Sequence, residues 1–455
     1  MSKGLHTAVK KMREAGMGAS AIRSFEHAYG ELEAGKTGII PEASIDPVAA
    51  VVRAADIEAS DDDAHSTLAQ TAVIRLNGGL GTSMGLAKAK TLLRARADKT
   101  FLQLIVEQIM YLRQQTGSLL PLIFMNSFRT RTDCQEQLAS YPDLPVSGIP
   151  QDFIQNAVPK ISQETLAPVE WPAHPGLEWC PPGHGDIYTT LADSDLLPSL
   201  LERGIKYLFV ANGDNLGAYP DARIAAWFAK SDAPFMIEVT KRTPADLKGG
   251  HLARRKSDGQ LILREIAQTA PEDIQHFTDG SRHPYLNCNN LWLAIKPLQE
   301  RLKETSGVLQ LPLIRNEKTV DPTNPASPKV YQLESAMGAA VERFPGAIAL
   351  EVGRDRFIPV KTTNDLLVLR SDVYDVGEDS IPRLTIPEAP IVMLNKKHFG
   401  LIADFEQRIP DVPSLREANS LKVEGDWTFA EGVRVIGDVT LADQGHPATA
   451  RGVLT

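Results

Sequence analysis

Short, almost entirely apolar runs alternate with helical stretches along most of this chain, and this alternation restricts the folds open to it. The runs predict strands at residues 71–76, 120–126, 207–211, 235–240, 286–295 and 347–352. Near-continuous apolar runs are typical of strands that are buried on both faces of a sheet. Helical stretches at 100–114 and 221–230 lie between them. The sequence therefore predicts a mostly parallel, doubly wound α/β sheet, in which ligands bind beyond the carboxyl ends of the strands.

The amino-terminal part of the chain does not follow this alternation. Residues 1–56 are predicted to be helical, because Ile22, Phe25, Tyr29 and Leu32 recur at three- and four-residue steps and so share one helix face. The acidic stretch 58–63 that follows is predicted to be a solvated loop. We place the first domain boundary at this point.

The carboxyl-terminal tail has a different period. Val423, Phe429, Val435 and Leu441 are spaced by six residues, with glycines between them. A six-residue apolar repeat is typical of a β-helix, here a short one. A small β-meander with chance periodicity is the alternative. The predicted domains are therefore 1–56 (helical), 57–385 (catalytic) and 386–455 (β-helix).

Composition excludes several classes of protein. At 455 residues the chain is longer than one hydrophobic core supports, and its net charge of -9 disfavours a nucleic-acid binder. Its three cysteines form no C-x-x-C pair, so neither a disulfide framework nor a zinc site is indicated. No secretory signal and no membrane span of ~18 apolar residues is found. We expect a cytoplasmic protein with neither a nucleic acid nor a membrane as its partner.

A glycine-rich stretch, LNGGLGTSMG at 76–85, directly follows the first predicted strand of the sheet. Glycines let backbone amides approach a ligand closely, and such amides form anion sites suited to phosphate. The stretch matches neither the P-loop nor the G-x-G-x-x-G pattern, which disfavours a dinucleotide oxidoreductase. Lys88 and Lys90 follow it, and either could reach a bound phosphate.

Other polar motifs follow later strands. The loop PPGHGD at 181–186 places His184 between two glycines. Asp214, in ANGDN at 211–215, follows a buried strand, where a carboxylate can hold Mg²⁺ jointly with substrate phosphates. Asparagines in NCNNLW at 287–292 offer the neutral donors and acceptors that sugar hydroxyls need. Together these motifs predict a site for a nucleotide, a metal ion and a polyol.

These motifs occur in the order found in one known family. The matching stretches are 76–85, 125–128, 182–186, 212–217, 248–250, 265–268, 287–292, 332–334 and 356–361. Over residues 70–445 the chain resembles the eukaryotic-type UTP–glucose-1-phosphate uridylyltransferases, or UDP-glucose pyrophosphorylases. The resemblance implies a Rossmann-like, doubly wound mixed sheet of the GT-A-like type. It also implies a helical amino-terminal region and a short left-handed β-helix at the carboxyl end.

The resemblance implies a role for each matched residue. Implied UTP contacts are Leu76, Asn77, Gly78, Gly79, Lys90, Gln155, Gly183, Asp214 and Lys361. Implied sugar-phosphate contacts are His184, Asn212, Gly213, Gly249, Glu265, Asn287 and Asn289. Lys90, Lys361 and Asp214 are the implied catalytic residues, with Asp214 the ligand of the cofactor Mg²⁺. The chain departs from the family at Lys88-Ala89, where glycine-proline is common, and at Gly213, where serine is usual.

The implied reaction converts UTP and glucose 1-phosphate to UDP-glucose and pyrophosphate. Galactose 1-phosphate or N-acetylglucosamine 1-phosphate is the alternative sugar substrate, although the sequence GHG at 183–185 favours glucose. A non-catalytic UDP-sugar-binding regulator is the alternative outside enzymes, since fold does not fix function. The retained Lys90, Asp214 and Lys361 disfavour it. Homo-oligomerisation through the carboxyl-terminal domain is left open.

Overall fold

The structure, a computed structural model, describes residues 2–96, 98–243, 246 and 249–455. Lys248, in the matched stretch 248–250, lies outside these residues. The α-helices are α1 (Lys3–Glu14), α2 (Ala19–Glu33), α3 (Asp61–Ala69), α4 (Phe101–Thr116), α5 (Arg131–Leu138), α6 (Asp186–Ala192), α7 (Leu196–Glu202), α8 (Ala222–Lys230), α9 (Ile274–Thr278), α10 (Ile295–Glu304), α11 (Thr363–Arg370), α12 (Lys396–Phe399) and α13 (Ile402–Arg408).

The strands lie between and after these helices. In chain order they are β1 (Ile45–Pro47), β2 (Val52–Arg53), β3 (Thr71–Asn77), β4 (Arg94–Arg96), β5 (Lys99–Thr100), β6 (Leu122–Asn126), β7 (Asp152–Ile154), β8 (Val158–Pro159), β9 (Ile161–Ser162), β10 (Trp179–Cys180), β11 (Tyr207–Asn212), β12 (Phe235–Lys241), β13 (His251–Arg255), β14 (Leu261–Arg264), β15 (Tyr285–Ala294), β16 (Ile314–Thr319), β17 (Lys329–Glu334), β18 (Ile348–Glu351), β19 (Tyr374–Val376), β20 (Pro382–Leu384), β21 (Ile391–Leu394), β22 (Ser414–Val423), β23 (Trp427–Phe429), β24 (Arg434–Leu441), β25 (Ala448–Ala450) and β26 (Val453–Leu454).

A mixed sheet forms the centre of the molecule, in the order β2-β18-β12-β15-β11-β3-β6-β7. Strand β3 pairs in parallel with both β11 and β6. Strand β15 instead runs antiparallel between β11 and β12, so the sheet is less parallel than the alternation of elements predicts. Buried parallel and antiparallel strands both appear as continuous apolar runs, so the sequence does not distinguish them. The mixed sheet agrees with the expectation from the resemblance.

Both faces of this sheet are covered, as the prediction of a doubly wound fold requires. Val73 of β3 packs into the core that includes helix α4, whereas Ile74 faces a second core on the other side, with α6 and α7. Helix α4 begins at a capping box between Thr100 and Gln103 and ends at Gly117, whose φ is 68°. The helix therefore runs back across the sheet and returns the chain to β6.

The helical prediction for the amino-terminal region is confirmed only in part. Helices α1 and α2 form, and the predicted face of α2 is buried against Val158 and Leu333. Further along, strands β1 and β2 join the central sheet by pairing with β13 and β18. The prediction of helix up to residue 56 is therefore wrong beyond α2.

The acidic stretch is also not the loop that was predicted, because α3 begins at Asp61. The Ser60 side chain accepts a hydrogen bond from the Asp63 backbone N–H at 3.2 Å. Three aspartates occupy the first turn, where the helix dipole favours negative charge. The capping serine and the dipole together explain why an acidic segment starts a helix here.

Parallel pairing characterises the tail. Strands β21, β22, β24 and β26 form one parallel sheet, and β23 pairs in parallel with β25. The residues of the six-residue repeat (Val423, Phe429, Val435 and Leu441) are all buried. A meander has antiparallel neighbours, so this alternative is wrong for the tail.

Two expectations from composition can be compared with the structure. Cys134, Cys180 and Cys288 are buried free thiols. Within the described ranges, no helix combines the length and the apolar character needed to span a membrane.

Candidate active site

The glycine-rich loop is held at both ends by hydrogen bonds. At its start, Asn77 Nδ2 donates to Asn126 Oδ1 at 2.7 Å, and Thr91 Oγ1 donates to Asn77 Oδ1 at 2.5 Å. At its end, the Lys90 backbone N–H donates to the Gly79 carbonyl at 3.2 Å. The chain therefore leaves β3, turns at the carboxyl edge of the sheet, and returns beside the strand with Lys90 in place.

Lys90 forms an ion pair with Asp214. Its Nζ lies 2.6 Å from Asp214 Oδ2, and each side chain is 20% exposed. Lys88 is exposed. The geometry thus distinguishes the two lysines that the sequence leaves open, since Lys90 is the one that contacts the carboxylate.

Gly213 holds the turn after β11 close to the glycine-rich loop. Its backbone N–H donates to the Leu76 carbonyl at 3.0 Å. A Cβ at position 213 would lie 2.6 Å from that carbonyl oxygen and 2.6 Å from Thr91 Cγ2. Any side chain at position 213 would therefore require the Leu76 backbone or Thr91 to shift.

Gln155 lies against the same loop from the other side. A Cβ on Gly78 would overlap the side-chain amide of Gln155. The Gln155 backbone N–H donates to the Asn126 carbonyl at 2.7 Å, which continues the pairing of β6 with β7. The prediction of Gln155, which rests on a thin sequence match, thus coincides with a direct contact to the loop.

The loop at 181–186 presents a neutral histidine. Gly183 has a φ of 79°, and a Cβ there would overlap the Ser335 backbone, so glycine is required. His184 Nδ1 accepts a hydrogen bond from the Met337 backbone N–H at 2.8 Å. Burial lowers the pKa of His184 to about 4, so its imidazole is neutral near pH 7. Because Nδ1 accepts, the remaining proton is on Nε2, which can donate to a phosphate.

An asparagine cluster lies beyond the turn that carries Asp214. Asn289 Nδ2 donates to Asn212 Oδ1 at 2.9 Å, and the Asn289 backbone N–H donates to Asn287 Oδ1 at 2.8 Å. Asn289 has a φ of 58° at a bulge in β15. Its Oδ1 is buried without a hydrogen-bond partner among the described residues. A buried oxygen of this kind suits a ligand hydroxyl, because such acceptors are seldom left unpaired.

Glu265 and Lys361 lie near each other at this edge. Burial raises the pKa of Glu265, and the positive charge of Lys361 acts in the opposite direction. The Val360 backbone N–H donates to the Asp214 carbonyl at 3.2 Å. The exposed Lys361 therefore follows a segment that is fixed to the Asp214 turn.

The Gly249-Gly250 segment completes the same edge. The Gly249 carbonyl accepts from Arg242 Nη2 at 2.8 Å, and the Gly250 carbonyl accepts from the Asn287 backbone N–H at 2.9 Å. A Cβ on Gly250 would lie 2.6 Å from Glu265 Oε1. The predicted residues other than Gly183 and His184 thus lie along one edge of the sheet, whereas Gly183 and His184 are held against Ser335 and Met337. The individual roles of all these residues are still predictions.

One buried cation behind the site was not predicted from the sequence. Arg75 Nη1 donates to the Asn212 carbonyl at 3.2 Å and to the Asn215 carbonyl at 3.3 Å. Burial lowers the pKa of Arg75 to about 9. Its signal in the sequence is an arginine inside the apolar run 71–76, which is unusual for a strand buried on both faces.

Within the described residues, no group of three or more His, Cys, Asp or Glu side chains is arranged to hold a metal ion. A glycine-rich loop, a lysine–aspartate pair and an adjacent asparagine cluster suit an enzyme that binds a nucleotide by its phosphates beside a polyol. Among α/β enzymes, this combination defines the nucleotidyltransferase class.

Comparison with known proteins identifies the family. A family model described as UTP–glucose-1-phosphate uridylyltransferase matches residues 22–435. The enzyme of that name from Musa acuminata is 39% identical over 391 residues, covering 85% of this chain and 80% of the relative. The one from Saccharomyces cerevisiae is 38% identical over 386 residues, covering 84% and 76%. The chain belongs to the UTP–glucose-1-phosphate uridylyltransferase family.

Solved structures agree with this assignment. A mutant UDP-glucose pyrophosphorylase from Leishmania major, in complex with UDP-glucose, superposes with a TM-score of 0.92 at 42% identity, covering 99% of this chain and 97% of that one. A UDP-glucose phosphorylase from Trypanosoma brucei gives a TM-score of 0.94 at 40% identity, covering 100% and 98%. The structural similarity therefore extends over nearly the whole length of this chain and of each of the two compared chains.

Proposed function

We propose that this enzyme transfers the uridylyl group of UTP to glucose 1-phosphate and releases pyrophosphate. The observation that carries the proposal is the Lys90–Asp214 ion pair. It joins the glycine-rich loop after β3 to the turn after β11. A fixed cation and a fixed carboxylate thus lie where ligands bind in such a sheet. Family membership and the likeness to a structure in complex with UDP-glucose support the same reaction.

The reaction is a single in-line displacement. A phosphate oxygen of glucose 1-phosphate attacks the α-phosphorus of UTP, a new P–O bond forms, and the bond to the bridging oxygen of pyrophosphate breaks. The attacking oxygen is already ionised, so neither a covalent nucleophile nor a general base is needed. Catalysis then consists of positioning and of neutralising the charge that develops.

Different residues at the sheet edge bind the phosphates of UTP and recognise its base. Backbone amides at 76–79 bind UTP phosphates, while Lys90 and Lys361 neutralise charge on the α-phosphate and the leaving pyrophosphate. Gln155, against Gly78, reads the uracil. The chain thereby fixes both ends of the nucleotide.

Glucose 1-phosphate is bound by the remaining residues of the predicted site. Neutral His184 donates from Nε2 to the phosphate of the sugar phosphate. The open Oδ1 of Asn289 accepts from a sugar hydroxyl. Asn212, Gly213, Gly249, Glu265 and Asn287 form the remaining contacts with the sugar phosphate.

Magnesium is part of this proposal, with Asp214 as its protein ligand. Mg²⁺ is commonly held by one or two carboxylates together with substrate phosphates, so a single carboxylate beside a phosphate-binding loop fits it. Asp214 Oδ2 faces Lys90, and the carboxylate has a second oxygen to offer. When bound, the ion offsets negative charge on the phosphates.

The proposal also includes a β-helix in the carboxyl-terminal tail and self-association through it. The parallel pairing and the buried six-residue repeat support a short left-handed β-helix in the tail. Ile391 and Met393 are exposed on its edge strand, which supports self-association through this region. We propose a domain boundary at 385 and a cytoplasmic location, whereas the boundary at 56 is not kept because β1 and β2 belong to the central sheet.

The experiment that tests the function is a sugar panel. The full-length protein is mixed with UTP, Mg²⁺ and one sugar 1-phosphate, and pyrophosphate release is followed. Glucose 1-phosphate is expected to give the highest kcat/KM. Faster turnover of galactose 1-phosphate or N-acetylglucosamine 1-phosphate would change the assigned substrate. No turnover with any sugar, combined with binding of UDP-glucose, would indicate the regulator instead.

A further inference from the structure

Asp186 lies between the two loops that contact nucleotide and sugar phosphate in the proposed function. It is 5% exposed and begins helix α6, two residues after His184. Its carboxylate accepts from the Asn156 backbone N–H at 2.6 Å and from Asn156 Nδ2 at 2.9 Å. The carboxylate thus reaches from the His184 loop to the segment that carries Gln155.

The same carboxylate is bound on its other side by its own helix. Thr189 Oγ1 donates to Asp186 Oδ1 at 2.5 Å, and Thr190 Oγ1 donates to Asp186 Oδ2 at 3.1 Å. Within the described ranges, all its hydrogen-bond donors are neutral groups. Burying a carboxylate without a cation is costly, and the several neutral donors together offset this cost.

An asparagine could not replace this carboxylate without loss. An ionised carboxylate is purely an acceptor, whereas a side-chain amide has one oxygen and an NH₂ group that donates. Asn156 directs two N–H groups at Asp186, so an NH₂ group in the carboxylate's place would oppose at least one of them. Two acceptor oxygens are therefore needed at this position to hold Asn156.

Asn156 is the residue next to Gln155, whose own backbone is fixed from the opposite side. The Gln155 N–H bonds the Asn126 carbonyl of β6 at 2.7 Å. Its side-chain amide then lies against Gly78. Gln155 is thus placed by β6 on one side and by Asp186, through Asn156, on the other.

We propose that Asp186 is a positioning residue which, through Asn156, sets where Gln155 presents its amide and so determines the selectivity for uracil over cytosine. This inference rests on the proposed function, in which Gln155 reads the base. The carboxylate oxygens of Asp186 are occupied by Asn156, Thr189 and Thr190, so Asp186 acts through Asn156. It also couples base recognition to the loop that carries His184.

The test compares UTP with CTP in full-length variants. Asp186→Asn replaces one acceptor oxygen by a donor NH₂ group, and Asn156→Ala removes the link while leaving the helix contacts of Asp186 in place. Thr189→Val is the matched control, because it removes only a helix-side donor. For each variant, kcat, KM and equilibrium binding are measured for both nucleotides, together with the Tm.

We expect the ratio of UTP to CTP kcat/KM to fall about tenfold in Asp186→Asn and in Asn156→Ala, through a higher KM for UTP. The binding ratio should fall in parallel, and the KM for glucose 1-phosphate should change little. Thr189→Val should lower the Tm and leave the ratio unchanged. If kcat/KM falls by the same factor for UTP and for CTP, Asp186 has only a structural role and the inference is overturned.

The Gln155→Ala variant tests whether Gln155 reads the base, on which the proposed role of Asp186 depends. If this variant keeps the wild-type UTP-to-CTP ratio, Gln155 does not read the base and the inference fails with it. Absence of turnover in the wild type would contradict the proposed function, whereas the binding ratios would still decide the role of Asp186.

Discussion

The Lys90 ammonium lies 2.6 Å from the Asp214 carboxylate, although 124 residues separate the two in the chain. Both side chains are one-fifth exposed, so the pair is sheltered and still reachable from solvent. Because β3 and β11 are adjacent and parallel, the loops at their carboxyl ends meet at this edge. The ion pair therefore fixes a cation and a carboxylate where phosphates are expected to bind.

Lys90→Ala should lower kcat by about 10²–10³-fold, the effect of losing one preorganised charge at a developing anion. Lys88→Ala is the control, because this neighbouring lysine is exposed. The measurement is pyrophosphate release at saturating UTP, with the Tm to verify folding. Near-normal kcat in Lys90→Ala, or equal losses in the two variants, would contradict the role.

Asp214→Asn should raise the Mg²⁺ concentration needed for half-maximal activity, since a neutral amide is a poorer ligand for this ion than a carboxylate. Binding of Mn²⁺ in the presence of UTP, followed by electron paramagnetic resonance, should weaken in parallel. Asp143→Asn, at an exposed position, is the control. An unchanged metal dependence would remove Asp214 as the ligand.

Gly78→Ala should raise the KM for UTP, because the added Cβ would occupy the space of the Gln155 amide. The displaced group is the end of a flexible side chain, so the Tm should change little. Gly30→Ala in helix α2 is the matched control, since a Cβ there would meet nothing within 4 Å. A normal KM for UTP in Gly78→Ala would separate Gln155 from nucleotide binding.

His184 should make the stability of the enzyme depend on pH. Burial lowers its pKa from 6.5 to about 4, so between these values the unfolded chain binds more protons than the folded one. The stability present above pH 6.5 is therefore lost as the pH falls towards 4. His184→Asn removes this titration.

Urea unfolding at pH 7 and pH 5 checks this contribution. Between pH 7 and pH 5, the free energy of unfolding should fall less in His184→Asn than in the wild type. Identical losses in the two proteins would show that His184 is protonated equally in the folded and unfolded states.

Glu42 anchors the amino-terminal segment before β1. Its carboxylate accepts from Arg264 Nη1 at 2.6 Å and from His283 Nε2 at 3.0 Å. Burial raises the pKa of Glu42, but hydrogen bonds from Arg282, His283 and Arg264 outweigh this and lower it to about 2. The stability that Glu42 contributes is thus present above pH 4.5 and lost as the pH falls towards 2.

Glu42→Gln should lower the free energy of unfolding by about 3 kcal/mol, because buried Arg264 then keeps only Asp273, at 3.2 Å, as its anion. Urea unfolding at pH 7 is the measurement, and Glu58→Gln at an exposed position is the control. A loss below about 1 kcal/mol would show that water or Asp273 replaces the lost contact.

Much of the fold could be predicted from local patterns. The strand predictions at 71–76 and 207–211 agree with β3 and β11 to within one residue, because buried strands require continuous apolar runs. The helix at 61–69 and the strands at 45–47 and 52–53 were missed. Strands of two or three residues are too short for any period, and α3 depends on one capping serine and on aspartates in its first turn.

The sequence by itself determined which segments are buried strands, where the chain turns on glycines, and which charged residues follow those turns. These are local properties, set by backbone sterics and by the period of apolar side chains. Tertiary structure alone decided that β15 runs antiparallel, that Lys90 rather than Lys88 meets Asp214, and that Asp186 holds Asn156. Each of these features depends on the order and direction of strands that are distant in the chain. Packing of the whole domain fixes that order and direction, and no local sequence pattern encodes it.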